Sequence, residues 1–351
     1  MPGSTKQSTF RDRDIIIDRD KRIFVTLGHI QPPDRVLSFL KYIPDNSGKW
    51  TSGSQSYRRI FWGGVDSVVN GLRTVPREYL IDDSHFGTEL LEIPHENISQ
   101  HFIPEERLQE IRTSGPSDRL ESHAMGLADA LHDRLGISYS DIGVAGSILW
   151  KGHNPEFSDV NMNIYGFKNS KILQTGFAEV SSASKVRLRK SGEWVSGISR
   201  IRERVPILGD EDIKNLFERR FAFYYDDQCI GVTPVLRNEE VPIAYGSESY
   251  RQELAVPITV TFQVEDANYG LFSPGIITGQ SPPLKRIHGE KVSRLMIYDG
   301  VYNGLLRDGD TLEVTGTLQK VRFQFQDVES IYQLMVGTKL GTGIEYIRLK
   351  I

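Results

Sequence analysis

Cysteine is the first thing this chain lacks. Its 351 residues hold one, Cys229, which excludes an internal disulfide and any zinc site built on several cysteines. The expected role for Cys229 is a small buried hydrophobe on a strand. No apolar run approaches the roughly 18 residues of a membrane-spanning helix. The start MPGSTKQSTFRDRD has no signal-peptide core, so a cytoplasmic protein without a membrane partner is expected. A charge imbalance is missing too: 42 basic against 46 acidic residues leave a net charge of −4. That argues against a sequence-blind nucleic-acid coat, normally basic, but leaves room for a local basic patch. The histidines avoid the HxxxH spacing of a helical metal site. His95 and His101, in a mixed run from 73 to 101, read as solvated loop residues. No internal repeat shows, and no low-complexity segment beyond the N-terminus.

What is present is an ordinary globular composition, 38% hydrophobic and 25% charged, which buries cores of normal size. At this length two or three domains are expected. Residues 1–9 read as a frayed end. Asp12–Arg22 and Ile23–Leu27 read as two strands around a charged turn. Arg35–Tyr42 reads as a short helix capped by Asp34, with Val36, Phe39 and Leu40 on one face. Tyr57–Trp62 is strand-like and Val65–Leu72 a weak helix. Pro104–Ile111 is a short helix with acids in its first turn, where they suit the dipole. Thr113–Ser117 marks a boundary. The strongest helix spans about Asp118 to Leu135: Leu120, Ala124, Leu127, Ala128, Leu131 and Leu135 recur at helical spacing, and Gly136 stops it.

The stretch from Asp141 to Gly166 (DIGVAGSILWKGHNPEFSDVNMNIYG) combines two devices found together nowhere else in the chain. A Gly146-Ser147 turn entering a short helix can hold a phosphate on backbone N–H groups. The strand that follows presents Asp159, Asn161 and Asn163 on one face, where side chains can hold a metal over that phosphate.

Gly146-Ser147, ten intervening residues and Ser158-Asp159-Val160-Asn161 resemble the signature of the polymerase-beta-like nucleotidyltransferase superfamily, a Gly-Ser pair followed by two carboxylates in an acid–apolar–acid strand. The wording around the motif, GHNPEFSD before NIYG, with PDRVLSFLKY near the N-terminus, is similar to a narrower group of archaeal predicted nucleotidyltransferases. The motif covers roughly the middle third of the chain, the narrower likeness most of it. The resemblance implies transfer of a nucleoside monophosphate from a nucleoside triphosphate to a nucleic-acid or protein acceptor, with Mg2+ or Mn2+ as cofactor. Asp159 and Asn161 fall at its catalytic and metal-binding positions. Gly146, Ser147, Lys151 and Ser158 fall at or beside its nucleotide-binding ones.

The chain departs from the pattern where the second acid is Asn161. A neutral amide offers a metal one carbonyl oxygen and no charge. Three accounts stand side by side: a weakened natural member that binds nucleotide or nucleic acid, a change introduced to trap a complex, or a working acid set unlike the superfamily's. Glu179, Asp226 and Asp227 are the candidates for a third acid.

Ser170–Glu179 reads as a helix and Ser181–Ser184 as a turn. A basic stripe follows: Lys185, Arg187, Arg189, Lys190, Arg200, Arg202 and Arg204, with Trp194 among them. Such a stripe contacts phosphates and stacks a base, or else is the solvated face of a helical hairpin. Lys185, Arg187, Arg189 and Lys190 are the candidates for meeting an RNA or DNA acceptor. From Phe221 short strand-like runs recur between glycine turns, among them Thr311–Thr317, Lys320–Gln326 and Glu345–Ile351, which argues a small closed or sandwiched β domain of OB or SH3 type.

The expectation is an α+β chain in three consecutive parts: an N-terminal α/β module (1–115), a nucleotidyltransferase-like mixed-sheet core (116–215) and a C-terminal β-barrel (220–351). The rivals to a nucleotidyltransferase are a non-catalytic nucleic-acid-binding protein, which works through the barrel and the basic stripe, and a structural subunit.

Overall fold

The computed structural model describes residues 10–220, 222–324 and 330–350. The expected frayed start, Phe221, the end of the expected strand Lys320–Gln326 and Ile351 lie outside the described residues. Seven α-helices and three sheets make a mixed α+β chain among those residues. None of the helices is long and apolar enough to cross a membrane.

In chain order the elements begin with β1 (Ile15–Asp18), β2 (Ile23–Thr26), β3 (Arg35–Pro44), β4 (Trp50–Ser52) and β5 (Gln55–Arg59). Then come α1 (Gly64–Gly71), β6 (Leu80–Asp83), β7 (Thr88–Pro94), β8 (Ile98–Phe102), α2 (Pro104–Ser114) and α3 (Arg119–Leu135). The middle holds β9 (Ile142–Ala145), α4 (Gly146–Leu149), β10 (Val160–Tyr165), α5 (Phe167–Val180) and β11 (Val186–Leu188). After α6 (Val195–Arg204) and α7 (Asp210–Phe217) come β12 (Phe223–Tyr225) and β13 (Gln228–Val235). The rest is strand: β14 (Glu248–Gln252), β15 (Ile258–Tyr269), β16 (Gly275–Gln280), β17 (Val292–Ile297), β18 (Thr311–Phe323), β19 (Ile331–Val336) and β20 (Tyr346–Leu349).

The chain divides into two compact units, each assembled from three segments: 1–62, 92–189 and 221–241 in the first, 63–91, 190–220 and 242–351 in the second. The sequence reading placed three consecutive domains at 1–115, 116–215 and 220–351. Here β12 and β13 join β9 and β10 in one five-stranded sheet, ordered β11-β12-β13-β10-β9.

In the first unit a second sheet runs β4-β5-β3-β2-β1-β8, with the end of β7 beside the start of β3. The expected helix at Arg35–Tyr42 is the central strand β3. Val36, Leu37, Phe39, Leu40 and Tyr42 are all buried, so the run is apolar on both faces, and three residues of such a run match a helical stripe by chance. The helix α3 forms where its periodicity predicts. Asp118 Oδ1 accepts from the N–H groups of Leu120 and Glu121, and Gly136 ends the helix in the left-handed region at φ 66°. Its Leu120, Leu127 and Leu131 pack on Val144, Met162, Ile164 and Phe223, each such side chain contributing about 1.5–3 kcal/mol on burial.

In the second unit β19 pairs with both β17 and β18, so the path β18-β15-β16-β17-β19 returns on itself, and β14 and β20 add to β18. The two strands expected at Thr311–Thr317 and Lys320–Gln326 are one, β18. Gly316 lies in its middle because a Cβ there would stand 2.8 Å from the Met335 carbonyl oxygen. It permits close strand approach rather than a turn.

Candidate functional site

The site sheet has one apolar and one polar face. Ala145 lies opposite Asn161 and Gly143 opposite Asn163 on the antiparallel β9. On the parallel β13, Asn161 pairs with Gly231 and Asn163 with Thr233. Paired residues share a face. Val144, Val160, Met162, Ile164 and Ile230 therefore point into the helix-covered core. Asn161, Asn163, Gly231 and Thr233 point the other way, together with Cys229, Tyr224 and Arg187 in successive strands. Asp159 joins them by alternation.

The two ends of the polar face differ. Asn163 and Tyr165 are buried, with Asn163 Nδ2 donating to Tyr165 Oη at 3.1 Å. Arg11, paired with Glu105, covers the Tyr165 ring at 4.3 Å from its centroid. Asp159 and Asn161 are exposed. The face is closed at its Asn163 end and open at its Asp159 end, which makes Asn163 an internal packing residue.

Gly146 opens α4 at φ 67°, a conformation glycine adopts at little cost. A Cβ added at Gly146 would lie 3.3 Å from Asn161 Nδ2, and one at Gly231 would lie 3.3 Å from Asn161 Oδ1. The Asn161 amide thus sits between two glycines, nitrogen toward the Gly146 turn and oxygen toward β13. A single turn such as α4 builds little macrodipole, so it contributes a bare backbone turn rather than a helix end. Ser147 is buried. Ser158 Oγ accepts from Asn154 N–H at 2.9 Å and closes the loop before β10. Lys151 turns to α2, where its Nζ bonds Glu110 and holds that carboxylate below its usual range.

The metal implied by the resemblance requires several carboxylates. On this face β13 offers Cys229, Gly231 and Thr233, none of them acidic. Asp226 and Asp227 occupy the β12–β13 turn and engage other groups: Asp226 stands 3.6 Å from Lys185 and 3.8 Å from His123 of α3, and Asp227 3.2 Å from Arg119. Glu179 is exposed on α5. One carboxylate and one amide oxygen do not make a two-ion site. The residues present do not fit the pair of divalent ions.

Among the described residues one group, Asp118, Glu121 and His153, has the spacing of a metal site. Its donors are already engaged. His153 Nε2 meets Asp118 Oδ2 at 2.6 Å. Glu121 is held by Arg107 and by the N–H and Oγ of Ser117, both at 2.8 Å. Burial raises the Asp118 carboxyl, but the Glu121 N–H and the His153 ring outweigh it and leave it below its usual range. With a guanidinium already bonded to Glu121, the cluster ties the loop after α4 to the start of α3.

The charged partner that Asp159 does have is a cation. Lys41, half-buried on β3, lies within electrostatic reach of Asp159, Arg59 and Arg13. Burial, then repulsion from Arg59 and Arg13, brings its ammonium down to about 7, with Asp159 pulling the other way. Further along the face Arg187 stacks on Tyr224, 3.9 Å from the ring centroid, and Arg189 Nη1 stands 3.7 Å from Cys229 Sγ. Cys229, expected as a buried hydrophobe, is partly exposed on this face.

The basic stripe divides between the units. Lys185, Arg187 and Arg189 belong to the first, and Lys190 onward to the second. In the second, Arg202, Arg204 and Arg219 are paired with Asp210, Asp299 and Asp310. Lys41 and Arg59 went unnoticed in the sequence. The available signal was a lysine inside the otherwise apolar run RVLSFLKYIP. No protein-family model, no curated protein and no solved structure matches this chain.

Proposed function

We propose that the first unit binds a nucleoside triphosphate at the open end of the β10 face, holding its phosphates with cations and amide groups in place of paired metal ions. The observation that carries this reading is the exchange of charge. Where the resemblance implies three acids, the face has one, Asp159, with Lys41 in its electrostatic reach and Arg59 in reach of Lys41, and Arg187 and Arg189 along the same sheet. The Asn161 amide nitrogen can donate to a phosphate oxygen that an aspartate would repel. The antiparallel β9–β10 pair with its Gly-Ser turn supports a nucleotidyltransferase-like core that keeps substrate binding and lacks the ion set for transfer. The ring of strands in the second unit supports an OB- or SH3-like barrel.

Calorimetric titration with each nucleoside triphosphate, in EDTA and in magnesium or manganese, tests the reading alongside a label-transfer assay. Binding that survives EDTA, with no label incorporated into RNA or protein, is expected. Binding that needs the metal, or incorporation by the natural chain, overturns it.

The affinity should also fall as pH rises. The folded Lys41 pKa lies near 7, below the usual 10.5, so the free protein carries this charge below that pH and loses it above. A bound phosphate must then restore the proton, at a cost of up to about tenfold in affinity per pH unit above 7. The phosphates themselves gain negative charge over this range, which works in the opposite direction. A declining profile therefore reports the protein. Lys41→Met should bind more weakly at pH 6 and flatten the decline; an unchanged slope in that variant counts against the assignment.

A further inference from the structure

Among the described residues of the first unit, two large apolar side chains are left exposed: Trp62 at 64% and Phe157 at 46%. They stand on opposite sides of a gap of more than ninety positions in the chain, yet both rest on the same ring. Trp50, 9% exposed, meets Trp62 edge-on with centroids 6.3 Å apart, and Phe157 at 90° with centroids 5.5 Å apart. Trp50 is itself held by Tyr42, which packs on the buried Trp150. The exposed rings are therefore held from below by an aromatic stack and stand partly in water.

The surroundings of Trp62 are positive, while Phe157 lies between the exposed acids Glu156 and Asp159. The Arg59 guanidinium lies 4.8 Å from the centroid of Trp62 and interacts electrostatically with Lys41. Phe157 precedes Asp159 by two residues, so the platform borders the open end of the β10 face. Across β13 and β12 the residues on this face are the uncharged Cys229, Gly231, Thr233 and Tyr224, and positive charge resumes at Arg187 on β11 and at Arg189 beside Cys229. Three strand-to-strand steps of about 4.8 Å separate those arginines from the open end of β10, a span longer than one base. A polymer with π-faces and repeated anions fits such a surface. Stacking rings joined to a cationic track are how proteins hold single strands, and a chain of net charge −4 needs the positive charge to be local.

We infer that Trp62 and Phe157 form a stacking platform for the unpaired bases of a single-stranded nucleic acid, whose phosphates run onto Arg59 and the cations of the β10 face. The inference shares that face with the proposed triphosphate site but does not need a triphosphate there.

Fluorescence-polarisation titrations with short oligo(U) and oligo(dT) at low salt test it on the full chain. The natural protein should bind and lose affinity as salt is raised. Trp62→Ala and Phe157→Ala should each bind roughly five- to hundredfold more weakly, and Trp62→Phe should retain most of the affinity. Both side chains are exposed, so unchanged circular dichroism and unchanged ATP affinity are expected in the alanine variants. Oligonucleotide binding that depends on these rings stands even if ATP fails to bind, in which case the triphosphate reading alone falls. The inference is overturned by alanine variants that bind oligonucleotide like the natural chain, or by a natural chain that binds none. It also falls if ATP affinity drops with the rings, which would assign the platform to a mononucleotide base. A dimer lost in Trp62→Ala without oligonucleotide binding would assign it to self-association, with the same result.

Discussion

Arg294→Met should lower the unfolding free energy by about 3–5 kcal/mol, while Arg294→Met combined with Glu248→Met should cost far less. Arg294 of β17 donates both guanidinium nitrogens to Glu248 of β14, Nη1 to Oε1 at 2.9 Å and Nη2 to Oε2 at 2.7 Å. Each side chain is 7% exposed. The network extends in two directions: Arg294 Nε donates to Gln333 Oε1 at 2.7 Å and Gln333 Nε2 in turn to Gln319 Oε1 at 2.8 Å, while Tyr250 Oη donates to Glu248 Oε2 at 3.0 Å.

Removing the arginine leaves a carboxylate in the interior with one neutral partner, and desolvation then has nothing to offset it. Removing both charges removes that penalty, and two methionines fill comparable volume. Urea unfolding of the single and double variants, read as a double-mutant cycle, measures the coupling. A single variant that loses under about 1 kcal/mol would mean that water reaches the pair and that it behaves as a surface bridge.

Asn161→Asp should weaken metal-free triphosphate binding by roughly ten- to hundredfold and make the remainder depend on magnesium. The replacement is nearly isosteric, so it keeps the fit between Gly146 and Gly231 while it adds a charge and removes a donor. A carboxylate about 4 Å from a phosphate oxygen costs between about 1 kcal/mol in water and about 4 kcal/mol at the effective dielectric of a protein surface. The lost amide donor adds to this. Together with Asp159 the new carboxylate offers a divalent ion two charged ligands on one strand face, so magnesium should recover part of the affinity. Asp159→Asn, the reverse change, should tighten metal-free binding. Calorimetry on the three chains in EDTA and in magnesium decides the matter: equal metal-free affinities would place the phosphates elsewhere.

These effects depend on how strands are registered, and register is where sequence reasoning stops. The hairpin of β1 and β2, the helix α2 and the helix α3 with its Gly136 stop were legible because their signals are local: periodicity, acids in a first turn and a stopping glycine within a few residues. The Gly146-Ser147 turn and the exposed Asp159–Asn161 face were legible for the same reason. The strand β3 was not. Burial on both faces erases the alternation that marks a strand, and that burial comes from neighbours distant in sequence. The strand β18 reads as two, broken after Thr317, because the pairing that carries it through Leu318 and Gln319 comes from β19, distant in sequence.

The sequence by itself determined the residue types of the candidate site: a glycine turn, one acid, one amide and a basic stripe. Only the tertiary structure decided what they can do. Pairing Asn161 with Gly231 showed that β13 brings no acid to this face. Packing within the first unit brought Lys41, with Arg59 in its electrostatic reach, to Asp159 more than a hundred positions away, and set Trp62 and Phe157 on one tryptophan. Lys151, which by position belonged to the site, was drawn to Glu110 instead. Local propensities reach one or two helical turns along a chain. The charge of a site is summed over everything the fold brings within about a Debye length, and no local pattern carries that sum.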